Sequence, residues 1–233
     1  MNLPKKWINV YVLFCGAFLC GVVWLNRAAT TMSQSVPVCT KNCIVIDAGH
    51  GGVDGGAISC TGKPESALNL QIALQLNDLM HLLGYNTKMI RTSDISVYTE
   101  EGSIAKKKIS DLKERVRIVS EVDNALLISI HQNHFSESQY WGAQVFYADT
   151  PGSKELASIL QKNLIAAVNP ESKRTIKRSE GIYLMEHVSC TAVLIECGFL
   201  SNPEEEALLR SKAYQQKLCC SIAATVTGFL SNT

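Results

Sequence analysis

The segment Ala125–Ile130 reads Ala-Leu-Leu-Ile-Ser-Ile, too short for a helix and too apolar for a strand with one wet face. A run of this kind belongs to a strand covered on both faces, as in parallel sheets with helices above and below. Further strands are predicted over Cys43–Ala48, Asn86–Arg91, Gln144–Ala148 and Ala192–Ile195. Between the first two, Leu68, Ile72, Leu76, Leu79 and Leu83 recur at helical spacing and stop at Gly84. Helices are also expected over Asp111–Val122, Ser153–Val168, Glu204–Arg210 and Ala213–Phe229. Strands alternating with helices predict an α/β fold: a mostly parallel twisted sheet with helices on both faces. Residues 94–110, with Lys106-Lys107-Lys108, read as a solvated polar insertion or, alternatively, as an arm for an acidic polymer.

At 233 residues the chain holds one domain, or one domain with an appendage. Lys+Arg 22 against Asp+Glu 21 leaves a net charge of +1, which gives no footprint for nucleic-acid phosphates. Mean hydropathy is +0.07, above that of an ordinary soluble enzyme, and the excess sits at the N-terminus. Trp7–Leu25 is 19 residues without a charge, preceded by Lys5 and Lys6 and followed by Arg27, long enough for one membrane-crossing helix. Arg27 argues for an uncleaved signal anchor and Ala28-Ala29 for a cleaved signal peptide. The lysines place the N-terminus in the cytoplasm and residues 28–233 outside it. The expected organisation is therefore a signal anchor or signal peptide over 1–27, a polar linker over 28–42 and a catalytic domain over 43–230. Of nine cysteines, Cys15 and Cys20 fall in the apolar run, and Cys39 and Cys43 are spaced to pair. The others read as small buried hydrophobes.

In open α/β sheets, ligands bind beyond the carboxyl ends of the strands. His50 follows the first strand, His131 the third and Glu196 the last, and Glu65 opens the first long helix. Two neutral imidazoles and a carboxylate match a catalytic zinc site, which needs a further carboxylate as general base. Each residue also has an ordinary reading: the histidines as hydrogen-bonded loop residues, Glu65 as a first-turn charge on a helix dipole. Glu196 is harder to dismiss, because a carboxylate following Val193-Leu194-Ile195 is largely desolvated. The Gly-rich loop Gly49–Gly56 lacks the Gly-Lys-Ser/Thr ending of a phosphate loop. Cys197 as a nucleophile has no helix N-terminus to activate it. Asp47 or Asn133 is expected to orient a ligand imidazole.

Four segments carry a resemblance: Ile46-Asp47-Ala48-Gly49-His50-Gly51-Gly52; Glu65 with Asn69-Leu70; Ser129-Ile130-His131-Gln132-Asn133; and Ile195-Glu196-Cys197-Gly198-Phe199-Leu200-Ser201-Asn202. Together and in this order they resemble the zinc-dependent N-acetylmuramoyl-L-alanine amidases of the Amidase_3 family, over about residues 43–230. The resemblance implies that His50, Glu65 and His131 bind Zn2+ and that Glu196 is the catalytic carboxylate. The substrate would be the amide between N-acetylmuramic acid and L-alanine in peptidoglycan. The single N-terminal apolar segment and the insertion Lys107-Lys108-Ile109-Ser110-Asp111-Leu112 look most like the germination-specific members. That implies an extracytoplasmic enzyme of the forespore intermembrane space and spore cortex that prepares muramic δ-lactam, with room for an activating protein partner. A zinc carboxypeptidase or endopeptidase of wall peptides and a vegetative wall amidase are the alternatives. Two departures from the family pattern, Cys190-Thr191-Ala192 for Pro-Ala and Ser66 for Lys, fall on no expected ligand.

Overall fold

The structure, a computed structural model, describes residues 42–232. The expected anchor over 1–27, the linker up to residue 41 and Cys39 lie outside the described residues. No helix among the described residues is long and apolar enough to cross a membrane.

The elements run β1 (Cys43–Ala48), α1 (Glu65–Leu82), β2 (Asn86–Met89), α2 (Ile104–Ser120), β3 (Ala125–Asn133), β4 (Gln144–Tyr147), α3 (Ser153–Val168), β5 (Lys177–Arg178), α4 (Tyr183–His187), β6 (Thr191–Phe199), α5 (Pro203–Leu209) and α6 (Lys212–Ser231). They build one six-stranded sheet in the order β2-β1-β3-β6-β4-β5. β2, β1, β3 and β6 are mutually parallel, whereas β4 pairs antiparallel with β6 and parallel with β5. The sheet is therefore mixed. The ten residues 134–143 between β3 and β4 contain no crossover helix, and a parallel return needs a dozen or more residues.

Alternate residues of the central strands supply two cores, as the two-residue period of a strand dictates. Ile44, Ile46, Leu126, Ile128, Ile130, Val193 and Ile195 pack against α1, α3 and α6 through Leu68, Ile72, Leu76, Leu160, Leu218 and Ile222. Val45, Leu127, Ala192 and Leu194 pack on the opposite face with Val119 of α2 and Leu184 and Met185 of α4. Leu76 is fully buried, and at such a site truncation to Ala costs about 2–5 kcal/mol.

Three departures from the sequence expectations matter for the site. α2 begins at Ile104, inside the stretch read as a polar insertion. Ser103 caps it by accepting from Lys106 N at 3.3 Å, and Lys106 and Lys107 pair with Glu100 and Glu101. Its polar start is a helix with one solvated face, not a loop. β3 and β6 extend past the apolar runs to Asn133 and Phe199, so His131 and Glu196 lie within strands instead of after them. β5 and α4, at two and five residues, are too short to leave a periodic signal.

Candidate active site

The carboxyl ends of β1, β3 and β6 lie side by side because the strands are parallel neighbours. β1 delivers its chain into Gly49-His50, β3 presents His131 and β6 presents Glu196 in register with His131. Glu65 arrives from the first position of α1, whose N-terminus sits at this edge through backbone bonds from Glu65 N to Ala57 O (2.9 Å) and Ser66 N to Gly55 O (3.0 Å).

His50 Nε2 lies 3.3 Å from Glu65 Oε2 and His131 Nδ1 lies 3.1 Å from Glu65 Oε1. One ligand atom from each of the three residues falls within 4.8 Å of the others. Ligands about 2.0–2.1 Å from one tetrahedral metal sit about 3.3 Å apart, so the donor set and its spacing fit a zinc ion. The surrounding backbone keeps this space open. A Cβ on Gly49 would come within 2.1 Å of His131 Nε2, and one on Gly56 within 2.6 Å of Glu65 Oε2. Gly56 also has φ of 71°, where side chains are strained.

Glu65 is almost wholly buried. Burial pushes its carboxyl up, but the hydrogen bond and charge of His131, the charge of His50 and the Asn69 amide outweigh it and hold the group at about 2. Asn69 Nδ2 (3.0 Å) and Gln132 N (3.1 Å) donate to Oε1, and Ala57 N donates to Oε2 (3.0 Å). Glu65 is thus a fixed, ionised carboxylate. Glu196 is the opposite. Its Oε2 is sealed from solvent without a hydrogen-bond partner among the described residues. Burial, opposed by the charge of His131 and reinforced by that of Glu65, pushes its carboxyl up to about 7. Two carboxylates at one edge with opposed shifts can divide work between them: one is suited to face a cation, the other to exchange a proton near neutral pH.

His50 Nδ1 donates to Asp54 Oδ2 at 3.0 Å, and its Nε2 faces Glu65 Oε2. Asp54 in turn pairs with Lys108 Nζ at 3.3 Å. His50 adopts a left-handed backbone, φ 61°, uncommon for a residue with a side chain. Arg115 of α2 stabilises this bend: Nη2 donates to His50 O at 2.7 Å, Nη1 to Ala48 O at 3.1 Å and to Asp47, and Nε to Asp111 Oδ2 at 2.6 Å. Asp47 and Arg115 are both buried, and Ser129 donates to the second Asp47 oxygen at 2.6 Å.

All four residues expected at the site therefore converge. The residues expected to orient an imidazole do not serve: Asp47 is taken up by Arg115 and Ser129, and Asn133 accepts from His134 N. Asp54 has that place. It sits four residues after His50 in the glycine-rich loop, where only the loop's turn, reinforced by the bridge between Gly51 and Asp54, brings it back. Arg115 left no signal, because nothing in its helical segment marks a side chain that reaches 65 residues back along the chain. Cys197 is fully buried, and burial pushes its thiol well above the usual range. It is not a nucleophile. His81 and His187 lie on α1 and α4, away from the His50–Glu65–His131 cluster.

The sequence matches the Amidase_3 family, N-acetylmuramoyl-L-alanine amidase, over residues 44–228. It is 37% identical over 225 residues to the germination-specific N-acetylmuramoyl-L-alanine amidase of Bacillus subtilis (strain 168), covering 95% of this chain and 93% of that protein. The fold superposes with a TM-score of 0.79 on the CwlD amidase of Clostridioides difficile, solved in complex with the GerS lipoprotein, at 38% identity over 82% of this chain and 99% of that one. An N-acetylmuramoyl-L-alanine amidase from Clostridium difficile 630 superposes at 0.68 with 31% identity, covering 82% of this chain and 97% of that one. With the family's match spanning the whole sheet and every residue of the converged cluster, the chain belongs to the Amidase_3 family of N-acetylmuramoyl-L-alanine amidases.

Proposed function

We propose that this amidase binds Zn2+ through His50, Glu65 and His131 and uses Glu196 as its catalytic carboxylate. The observation that carries this reading is the His50–Glu65–His131 cluster beside a buried Glu196 Oε2 that has no hydrogen-bond partner among the described residues. Zinc at that position supplies Lewis-acid polarisation of the lactyl carbonyl and acidifies the attacking water. Glu196 takes a proton from that water as its oxygen adds to the carbonyl carbon. It then returns the proton to the alanine nitrogen as the C–N bond breaks, so the amine departs neutral. Glu65 stays ionised throughout, and Asp54 keeps the His50 ring in one tautomer.

The similarity to germination-specific amidases supports action on spore cortex peptidoglycan, where removing the peptide opens the way to muramic δ-lactam. We assign residues 1–27 as a signal anchor or signal peptide that takes the enzyme across the membrane, 28–42 as a linker and 43–230 as the catalytic domain. A lipoprotein partner of the kind bound by the Clostridioides difficile relative fits an enzyme at that surface. The test is twofold. The purified protein should hold close to one zinc and release peptide beginning with intact L-alanine, leaving peptide-free muramic acid; a metal-free enzyme of full activity overturns the ligand assignment. Cortex made without the protein should lack δ-lactam, and an unchanged cortex points to the vegetative wall.

A further inference from the structure

Residues 134–143, between β3 and β4, hold three large aromatic side chains at the surface: Phe135 is 46% exposed, Tyr140 39% and Trp141 41%. Their position is tied to the active edge. Asn133 pairs with Phe199 and His131 with Glu196, with a register shift between the two pairs, so Phe199 on β6 lies level with the β3 residue two beyond His131, about 7 Å along that strand at about 3.3 Å per residue. The rings of Phe135 and Tyr140 pack on each other (centroids 5.1 Å) and on Phe199 (5.5 and 6.3 Å). Arg174 lies over the Phe199 ring at 4.4 Å.

The rings are held in place. The buried Glu205 carboxylate accepts from Gly142 N and from Phe199 N, each at 2.8 Å, and so fastens the loop to the end of β6. Phe135 N donates to Ser201 Oγ at 3.2 Å, and Arg174 Nε donates to Trp141 O at 2.7 Å. Beyond Tyr140 the surface opens into a shallow groove whose lining includes Tyr140, Trp141, Glu171, Ser172, Lys173 and Arg174. Fixed aromatic faces left wet beside a reaction site mark a binding surface, since the fold gains nothing by exposing them. Aromatic faces with a fringe of hydroxyl, ammonium and guanidinium donors complement a pyranose, which has a C–H face for stacking and a rim of hydroxyl and amide oxygens.

We infer that Phe135, Tyr140 and Trp141 form a saccharide subsite that grips the glycan strand next to the muramic acid whose amide is cut. The inference rests on the amidase reading for its substrate and names where that substrate's polymer runs. Two measurements on the full-length protein test it. In the first, kcat and KM are compared for the same peptide carried on a single muramic acid and on a four-sugar strand. The wild type should show a lower KM on the strand. Phe135→Ala/Tyr140→Ala should raise that KM about fivefold to tenfold, with both constants for the single-sugar substrate and the zinc content unchanged. Equal KM values for both substrates in the wild type, or an equal loss on both in the variant, overturn the subsite. In the second, a peptide-free four-sugar strand is titrated against tryptophan fluorescence. The full-length protein also carries Trp7 and Trp24, so the signal assigned to the loop is a saturable change that is absent from Trp141→Phe; that result supports the subsite, and no change overturns it. This readout needs no hydrolysis, so a protein that binds the strand but cuts neither substrate overturns the amidase reading and leaves the subsite standing. A protein-docking role for the rings predicts no response to either sugar probe.

Discussion

His131 and Glu196 are register partners in the parallel β3–β6 ladder, so adjacent strands bring an imidazole and a carboxyl to one edge. The imidazole meets Glu65 at 3.1 Å, while the Glu196 Oε2 atom has no hydrogen-bond partner among the described residues. A buried carboxyl left in that condition is a standing cost to the fold, which a structural role does not explain.

Glu196→Gln should keep zinc and lose hydrolysis by about two to four orders of magnitude, as expected for loss of a general base. It should also stabilise the metal-free protein. The folded carboxyl sits at about 7, against the ordinary 4.5. Its ionisation cost is absent below about 4.5, grows as pH rises and is fully present above 7. Thermal unfolding of the metal-free proteins should show the variant ahead by about 1–3 kcal/mol at pH 8 and level at pH 4. Equal stability at both would show that Oε2 is not desolvated.

Asp54→Ala removes the acceptor that fixes the His50 tautomer. Zinc affinity, measured by competition with a chromogenic chelator, should fall by about 10–100-fold while unfolding changes little. Unaltered affinity would mean that His50 is oriented by its backbone alone.

Arg115→Met leaves Asp47 buried without its cation and frees the His50 carbonyl. Breaking a buried pair from one side costs about 3–5 kcal/mol. Denaturant unfolding should show that loss. Arg115→Met with Asp47→Leu should recover much of the stability but not the zinc affinity, because the bend at His50 stays unsupported.

Glu206 ties the loop before Glu65 to α5, accepting from Thr61 Oγ1 at 2.6 Å and Arg210 Nε at 2.7 Å. Burial pushes its carboxyl up, but those bonds prevail and hold it at about 2. The stabilisation is present above pH 4.5 and is lost as pH falls through 2. The wild type should therefore exceed Glu206→Gln in stability most at neutral pH, and the two should unfold alike near pH 2, as followed by circular dichroism across that window.

The local pattern of the chain located much of this. Apolar runs such as Ala125–Ile130 marked the buried strands, because only a strand covered on both faces tolerates them. The residues that follow those runs, His50, His131 and Glu196, were visible as chemistry because a parallel sheet gathers its carboxyl ends. Residues 104–110 leave no helical signal in the sequence because a largely solvated, charged first stretch of helix carries no apolar periodicity.

What the sequence by itself determined is therefore the set of donors and the kind of layer that carries them: spacing and burial patterns are local properties of the chain. The tertiary structure alone decided which side chains face one another. β4 runs against β6 because residues 134–143 are too few for a crossover, and that short return sets Phe135, Tyr140 and Trp141 beside the site. Asp54 in place of Asp47 supports His50, and Arg115 reaches it from α2, because hydrogen bonds depend on distances that close only when the layers pack.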